Sequence, residues 1–193
     1  MYYQKHHIDK RQNIRHQLGA GLYENVMNKL KIDTAGLRKG EIHAPLYVNG
    51  KFRAGNYAGP GTNLIERLKD ESQPISDVDK ISKAHDIRYS LAKTPEDINR
   101  ADKQMLKSLY KSNDSLINRV PAGIAIGAKY GINKMFGKMI YPKVHQLNTE
   151  AWSKAEDRPL LEKTLEPMIK EGYGVKRRKN NKKNKKIKYN IVL

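Results

Sequence analysis

The stretch Ser76–Leu109, "SDVDKISKAHDIRYSLAKTPEDINRADKQMLKSL", decides the fold. It opens with a capping-box-like start: Ser76 can accept from a backbone amide of the first turn, and Asp79 sits near the positive end of the helix dipole. Val78, Ile81, His85, Tyr89 and Ala92 follow at three- and four-residue steps and share one helical face. "KTPEDI" restarts a helix, with Thr94 as N-cap, Pro95 at the first helical position and Glu96 and Asp97 in the first turn. Ile98, Ala101, Met105 and Leu109 form its inward face, with Asp102 beside them. So short a turn predicts an antiparallel helical hairpin.

Antiparallel pairing sets a register, because positions equidistant from the turn lie opposite each other. His85 lies eight residues before Lys93 and Asp102 eight after Thr94, so the two side chains face one another. Tyr89, one turn beyond His85, leans back toward the helix N-terminus and reaches the same carboxylate. A histidine held by a facing Asp is the orienting half of a general base: the carboxylate fixes the tautomer and stabilises the imidazolium formed when water gives up a proton. Asp86 points about 100° away round the helix and is left for another partner.

Upstream, "YAGPGTNLIERL" (Tyr57–Leu68) sets two glycines around a proline ahead of a helical run. Glycine supplies backbone conformations closed to other residues, and such a loop aims carbonyls or amides at a target. A hard cation such as Ca²⁺ takes several oxygen ligands, backbone carbonyls among them, and a carboxylate for charge. The loop and Asp86 together offer that set.

Elsewhere the patterns are simpler. Ile14, Leu18, Leu22, Val26 and Leu30 recur by four around Gly19-Ala-Gly21, predicting one helix or two short ones. Asn49-Gly50 within "EIHAPLYVNGKF" predicts a hairpin turn between short strands. Gly123, Gly127 and Gly131 give one smooth helical edge, while Lys129, Lys134 and Lys138 interrupt the apolar stretch, which favours a peripheral or closely packed helix over a spanning one. Beyond Pro142 the chain is polar, with helical segments expected over 149–155 and 159–169. Trp152 is expected in a core or an interface. Neither Gly19-Ala-Gly21 nor Gly172-Tyr-Gly174 precedes Gly-Lys-Ser/Thr, so no phosphate-binding loop is supported.

At 193 residues the chain suffices for one domain plus tails, and 38% hydrophobic content predicts a modest core. The absence of cysteine excludes a disulfide framework and a thiolate metal site. No secretory signal and no membrane span is visible, so a soluble or peripheral protein is expected. Nine Lys/Arg crowd into residues 176–188, half of the net charge of +18. That run repels itself and is expected to stay unfolded, free to meet nucleic acid, nuclear import receptors or anionic lipid. His6, His7, His16, His43 and His145 lack partners at metal-ligand spacing and are expected on the surface.

Tyr57-Ala-Gly59-Pro-Gly61, His85-Asp86-x-x-Tyr89 and Ala101-Asp102 together resemble the phospholipase A2 domain at the N-terminus of parvoviral minor capsid proteins, a domain also found in related viral and transposon-borne proteins. The likeness covers about residues 51–140. It implies a mainly α fold: a phospholipase A2-like antiparallel helix pair with a glycine-rich calcium loop, flanked by less ordered basic segments. By the same resemblance the carbonyls of Tyr57, Gly59 and Gly61 and the Asp86 carboxylate bind Ca²⁺, His85 activates water, and Asp102 with Tyr89 orients His85. The sn-2 ester of a glycerophospholipid is then hydrolysed to a fatty acid and a lysophospholipid.

The expected division is an N-terminal mixed segment over 1–50, the phospholipase-like domain over 51–141, a polar linker with short helices over 142–175, and a basic tail over 176–193. No large shell domain follows in this sequence, which predicts a separate small protein. The resemblance further implies a place in a virion with viral capsid proteins as partners, action on an endosomal membrane during entry, and access to the host nucleus. The alternative is a non-catalytic basic minor capsid or core protein that binds membrane, shell or nucleic acid through a lipase-derived fold. The intact His85, Asp86 and Asp102 favour the enzyme.

Overall fold

The computed structural model describes residues 21–136 and 154–173, with side chains over 21–131 and 154–173. The expectations for residues 1–20, Trp152 and the basic tail lie outside the described residues.

Helix α1 covers 21–29, and a two-stranded antiparallel sheet follows, β1 (Pro45–Val48) and β2 (Lys51–Ala54). Then come α2 (Leu64–Lys69), α3 (Asp77–Leu91), α4 (Pro95–Lys111), α5 (Leu116–Phe136) and α6 (Arg158–Met168), the last running into a π turn over Ile169–Tyr173. Among the described residues the fold is mainly helical, with only this small sheet.

The helical hairpin forms where its caps predict. Ser76 Oγ accepts the Asp79 amide at 3.2 Å, and Thr94 and Asp97 complete a reciprocal capping box with Pro95 behind it. Proline disfavours helical backbone in the residue before it, and Thr94 is extended, at φ −130° and ψ 157°, which turns the chain between α3 and α4. Inside, Ile81, Ile87 and Ile98 are buried, each stabilising the pair by roughly 1.5–3 kcal/mol relative to exposure. The hairpin turn also matches its sequence: Asn49 and Gly50 both take positive φ, 52° and 81°, as a two-residue type I′ turn requires.

The core reaches beyond residues 51–141 at both ends. Leu161, Leu165 and Met168 of α6 pack with Tyr57, Leu64, Ala84 and Ile87 in one cluster. Before β1, the buried Glu41 receives Arg67 Nε at 2.8 Å, the Asn63 amide at 2.9 Å and the Arg38 amide at 2.9 Å, tying the 38–41 segment to α2. Asn118 fastens β1 to α5 by both exchanging bonds with Tyr47, at 2.7 and 3.0 Å. Among the described residues no helix is long and apolar enough to cross a membrane.

Candidate active site

The register of α3 and α4 brings His85 Nε2 to 3.0 Å from Asp102 Oδ1. A carboxylate only accepts, so Nε2 carries the proton and donates, which in the neutral ring leaves Nδ1 as the acceptor nitrogen. Nδ1 lies 3.5 Å from Asp86 Oδ1. The Tyr89 hydroxyl donates to the same Asp102 oxygen that His85 uses. Thus His85, Asp102 and Tyr89 meet as the spacing predicts.

A third partner was not read from the sequence. Lys129 Nζ, from α5, donates to Asp102 Oδ2 at 2.6 Å and also contacts the Tyr89 hydroxyl, with its ammonium 4.9 Å from the Tyr89 ring centre. Asp102 is fully buried, so both its oxygens need donors. Burial pushes its carboxyl up, but the hydrogen bonds from His85, Lys129 and Tyr89 outweigh this and hold it below the usual carboxylate range. For His85 burial pulls the imidazole down, while the Asp102 and Asp86 carboxylates raise it to a net value above the ordinary one.

The glycine loop is held by its amides. Asp79 Oδ1 accepts from the Tyr57 and Ala58 amides at 2.7 and 2.9 Å, and Oδ2 from the Asn56 and Ile75 amides at 2.9 and 3.0 Å. Gly59 is required for close approach, since a Cβ there would fall 2.2 Å from the Ile42 carbonyl oxygen. Gly61 takes φ +77°, where other residues are strained. Thr62 folds its hydroxyl under the loop, 3.0 Å from the Gly59 carbonyl and 3.4 Å from that of Tyr57.

His43 corrects the expectation of a surface residue. It is fully buried, with Nδ1 2.7 Å from the Gly55 carbonyl and Nε2 3.1 Å from Thr62 Oγ1. Lack of metal-ligand spacing says nothing about burial, and its partners are a carbonyl and a hydroxyl that no periodicity reveals.

The residues fit a hard cation. Asp86 Oδ2 is shielded from solvent and has no hydrogen-bond donor among the described residues, and burial pushes the carboxyl up despite opposing contributions from His85 and Thr62. A carboxylate oxygen in that position is costly unless a cation or donor meets it. Among the described residues no group of three or more His, Cys, Asp or Glu could hold a metal, so any ion here draws on carbonyl oxygens as well, a donor set suited to calcium.

His85, Asp86, Gly59 and Lys129 open onto a cleft of about 780 Å³, walled by Leu46, Val78, Met105, Ile117, Pro121 and Ile126. A more open groove of about 1700 Å³ is lined from α3, α4 and residues 158–173, but none of His85, Asp86 or Asp102 reaches it. Chemistry therefore selects the smaller cleft.

The site thus sets a helix-pair His–Asp dyad beside a glycine loop and an apolar cleft. Residues 51–121 match the family model of the phospholipase A2-like domain, which is consistent with the parvoviral type of that domain. The chain is 32% identical over 101 residues to the capsid protein VP1 of Galleria mellonella densovirus, covering 46% of this chain and 11% of that protein. It is 30% identical over 111 residues to the capsid protein VP1 of Junonia coenia densovirus, covering 51% of this chain and 13% of the relative. For the Diatraea saccharalis densovirus protein the figures are 28% over 104 residues, 49% and 12%. The match thus spans about an eighth of these relatives' length. No solved structure matches the chain significantly.

Proposed function

We propose that the chain hydrolyses the sn-2 ester of glycerophospholipids by calcium-dependent attack of water. The observation that carries this reading is the convergence, on one apolar cleft, of the Asp102-bound His85 and an Asp86 oxygen with no donor among the described residues. His85 Nδ1 takes a proton from water as the water oxygen bonds to the ester carbonyl carbon. Asp102, on Nε2, stabilises the imidazolium so formed, and Tyr89 keeps the carboxylate in place. When the C–O bond to glycerol breaks, the proton passes from Nδ1 to the leaving oxygen, giving a fatty acid and a lysophospholipid.

The carbonyls of Tyr57, Gly59 and Gly61 and the Asp86 carboxylate would hold the calcium ion. When bound, the ion supplies polarisation of the ester carbonyl and charge against the developing oxyanion. The apolar cleft walls accommodate an acyl chain and exclude water from it. Exposed Leu22 and Val26 on α1, whose Tyr23 lines the cleft, and exposed Ile117 and Ile124 on α5 offer an apolar rim for seating on aggregated lipid.

The similarity to densovirus capsid proteins supports action from a virus particle, alongside capsid proteins, on an endosomal membrane during entry. The net charge of +18 supports attraction to anionic lipid, and residues 176–188 would carry nucleic-acid or nuclear-import contacts. The same relatives and charge favour a second reading, a non-catalytic capsid-associated binding protein. Fatty-acid release from mixed phospholipid vesicles, with calcium or with chelator, separates the two. Release with calcium that stops with chelator is expected; no release from the folded chain at any calcium level overturns the enzyme reading.

A further inference from the structure

We propose that His43 is a positioning residue for the glycine loop: by accepting the single hydroxyl proton of Thr62, it leaves the Tyr57 and Gly59 carbonyls open to a divalent cation. This rests on the calcium reading above and goes beyond it, since His43 is not among the ligands. Thr62 Oγ1 has four acceptors around it: His43 Nε2 at 3.1 Å, the Gly59 carbonyl at 3.0 Å, the Tyr57 carbonyl at 3.4 Å and the Asp86 carboxylate. A threonine hydroxyl has one proton to give.

The direction of that proton follows from the other end of the ring. Nδ1 stands 2.7 Å from the Gly55 carbonyl, which can only accept, so Nδ1 carries the hydrogen. In a neutral imidazole the other nitrogen is then an acceptor. His43 is 0% exposed, so its Nε2 lone pair has the Thr62 hydroxyl rather than bulk water to satisfy it. The carbonyls are less demanding: Tyr57 O already receives the Gly59 amide at 3.0 Å, and carbonyl oxygens are ordinary ligands of hard cations. Without the imidazole lone pair, the hydroxyl turns to the Gly59 carbonyl or the Asp86 carboxylate and competes with a cation for them.

The test is calcium affinity, read by titration calorimetry with the metal alone on the full chain, together with melting temperature in chelator. His43→Asn keeps an N–H for the Gly55 carbonyl but removes the acceptor facing Thr62. It should weaken calcium binding roughly tenfold, about what one competing hydrogen bond contributes. Thr62→Val removes the competing proton and should bind no more weakly than the unaltered chain. His43→Asn with Thr62→Val should return to the Thr62→Val value. Unchanged affinity in His43→Asn, or a double variant as weak as His43→Asn alone, overturns the proposal, as does tenfold weaker binding in Thr62→Val. Should His43→Asn fail to fold, long-range proton–nitrogen NMR of the unaltered chain decides: a His43 ring protonated on Nδ1 is expected, and one protonated on Nε2 alone contradicts the proposal. An unaltered chain that binds no calcium overturns the metal reading itself.

Discussion

The Asp79 carboxylate stands 2.7 Å from the backbone amide of Tyr57, binding the first residue of the glycine loop to the first turn of α3. Three further amides, of Asn56, Ala58 and Ile75, reach the same side chain. The Asn56, Tyr57 and Ala58 amides are therefore committed to α3, and α3 also carries His85 and Asp86. The loop is thereby fastened to the same helix that positions His85 and Asp86, while α4 supplies Asp102.

Asp79→Asn should consequently unsettle the loop. An amide presents a donor where the carboxylate accepted two N–H groups, leaving buried amides without partners at a cost of roughly 2–4 kcal/mol. Urea unfolding should show that loss, with calcium affinity falling alongside. A change below about 0.5 kcal/mol, the size of an ordinary surface substitution, would contradict this account of the loop.

Lys129 should matter to turnover more than to substrate binding. Lys129→Met leaves Asp102 Oδ2 without its 2.6 Å partner in a buried site. The expected result is a kcat lowered by about ten- to a hundredfold, a loss of one charge-assisted bond, with KM nearly unchanged. Lys129→Arg, which keeps the charge, should recover much of it. Equal kcat in Lys129→Met and the unaltered chain would reduce Lys129 to a packing residue.

Acid stability should report the Glu41–Arg67 pair. Burial alone would raise the Glu41 carboxyl, but Arg67 and the Asn63 and Arg38 amides bring it from 4.5 down to about 2. A depressed carboxylate stabilises the fold above its unfolded value and loses that contribution as pH falls toward the folded one. Between pH 4.5 and 2 the unfolding free energy should therefore drop by about 3 kcal/mol from this group. Denaturant curves across that range should show a shallower acid slope in Glu41→Gln. An identical slope would mean the stability change comes from other groups.

The helix pair was legible in the sequence because its signals are local: caps at Ser76 and Thr94, a short turn, and apolar steps of three and four. Register then followed, and with it the meeting of His85, Tyr89 and Asp102. What stayed hidden depends on contacts distant in sequence. Asp79 reads as a first-turn acid, and nothing in its neighbourhood announces a loop more than twenty residues upstream. Lys129 sits in a stretch whose glycines draw attention, yet its ammonium crosses to a carboxylate on α4. Leu161, Leu165 and Met168 carry helical spacing that marks a buried face, although the surrounding polar residues read as a linker.

In the proposed reaction His85 activates water against the sn-2 ester. The most direct test is product analysis with a phospholipid labelled in the sn-2 acyl chain, in calcium, for the unaltered chain and for His85→Ala. Labelled free fatty acid is expected from the unaltered chain, and a rate lowered by at least about a hundredfold in a His85→Ala variant of unchanged helix content. Labelled product formed at a similar rate by both proteins would contradict that role for His85.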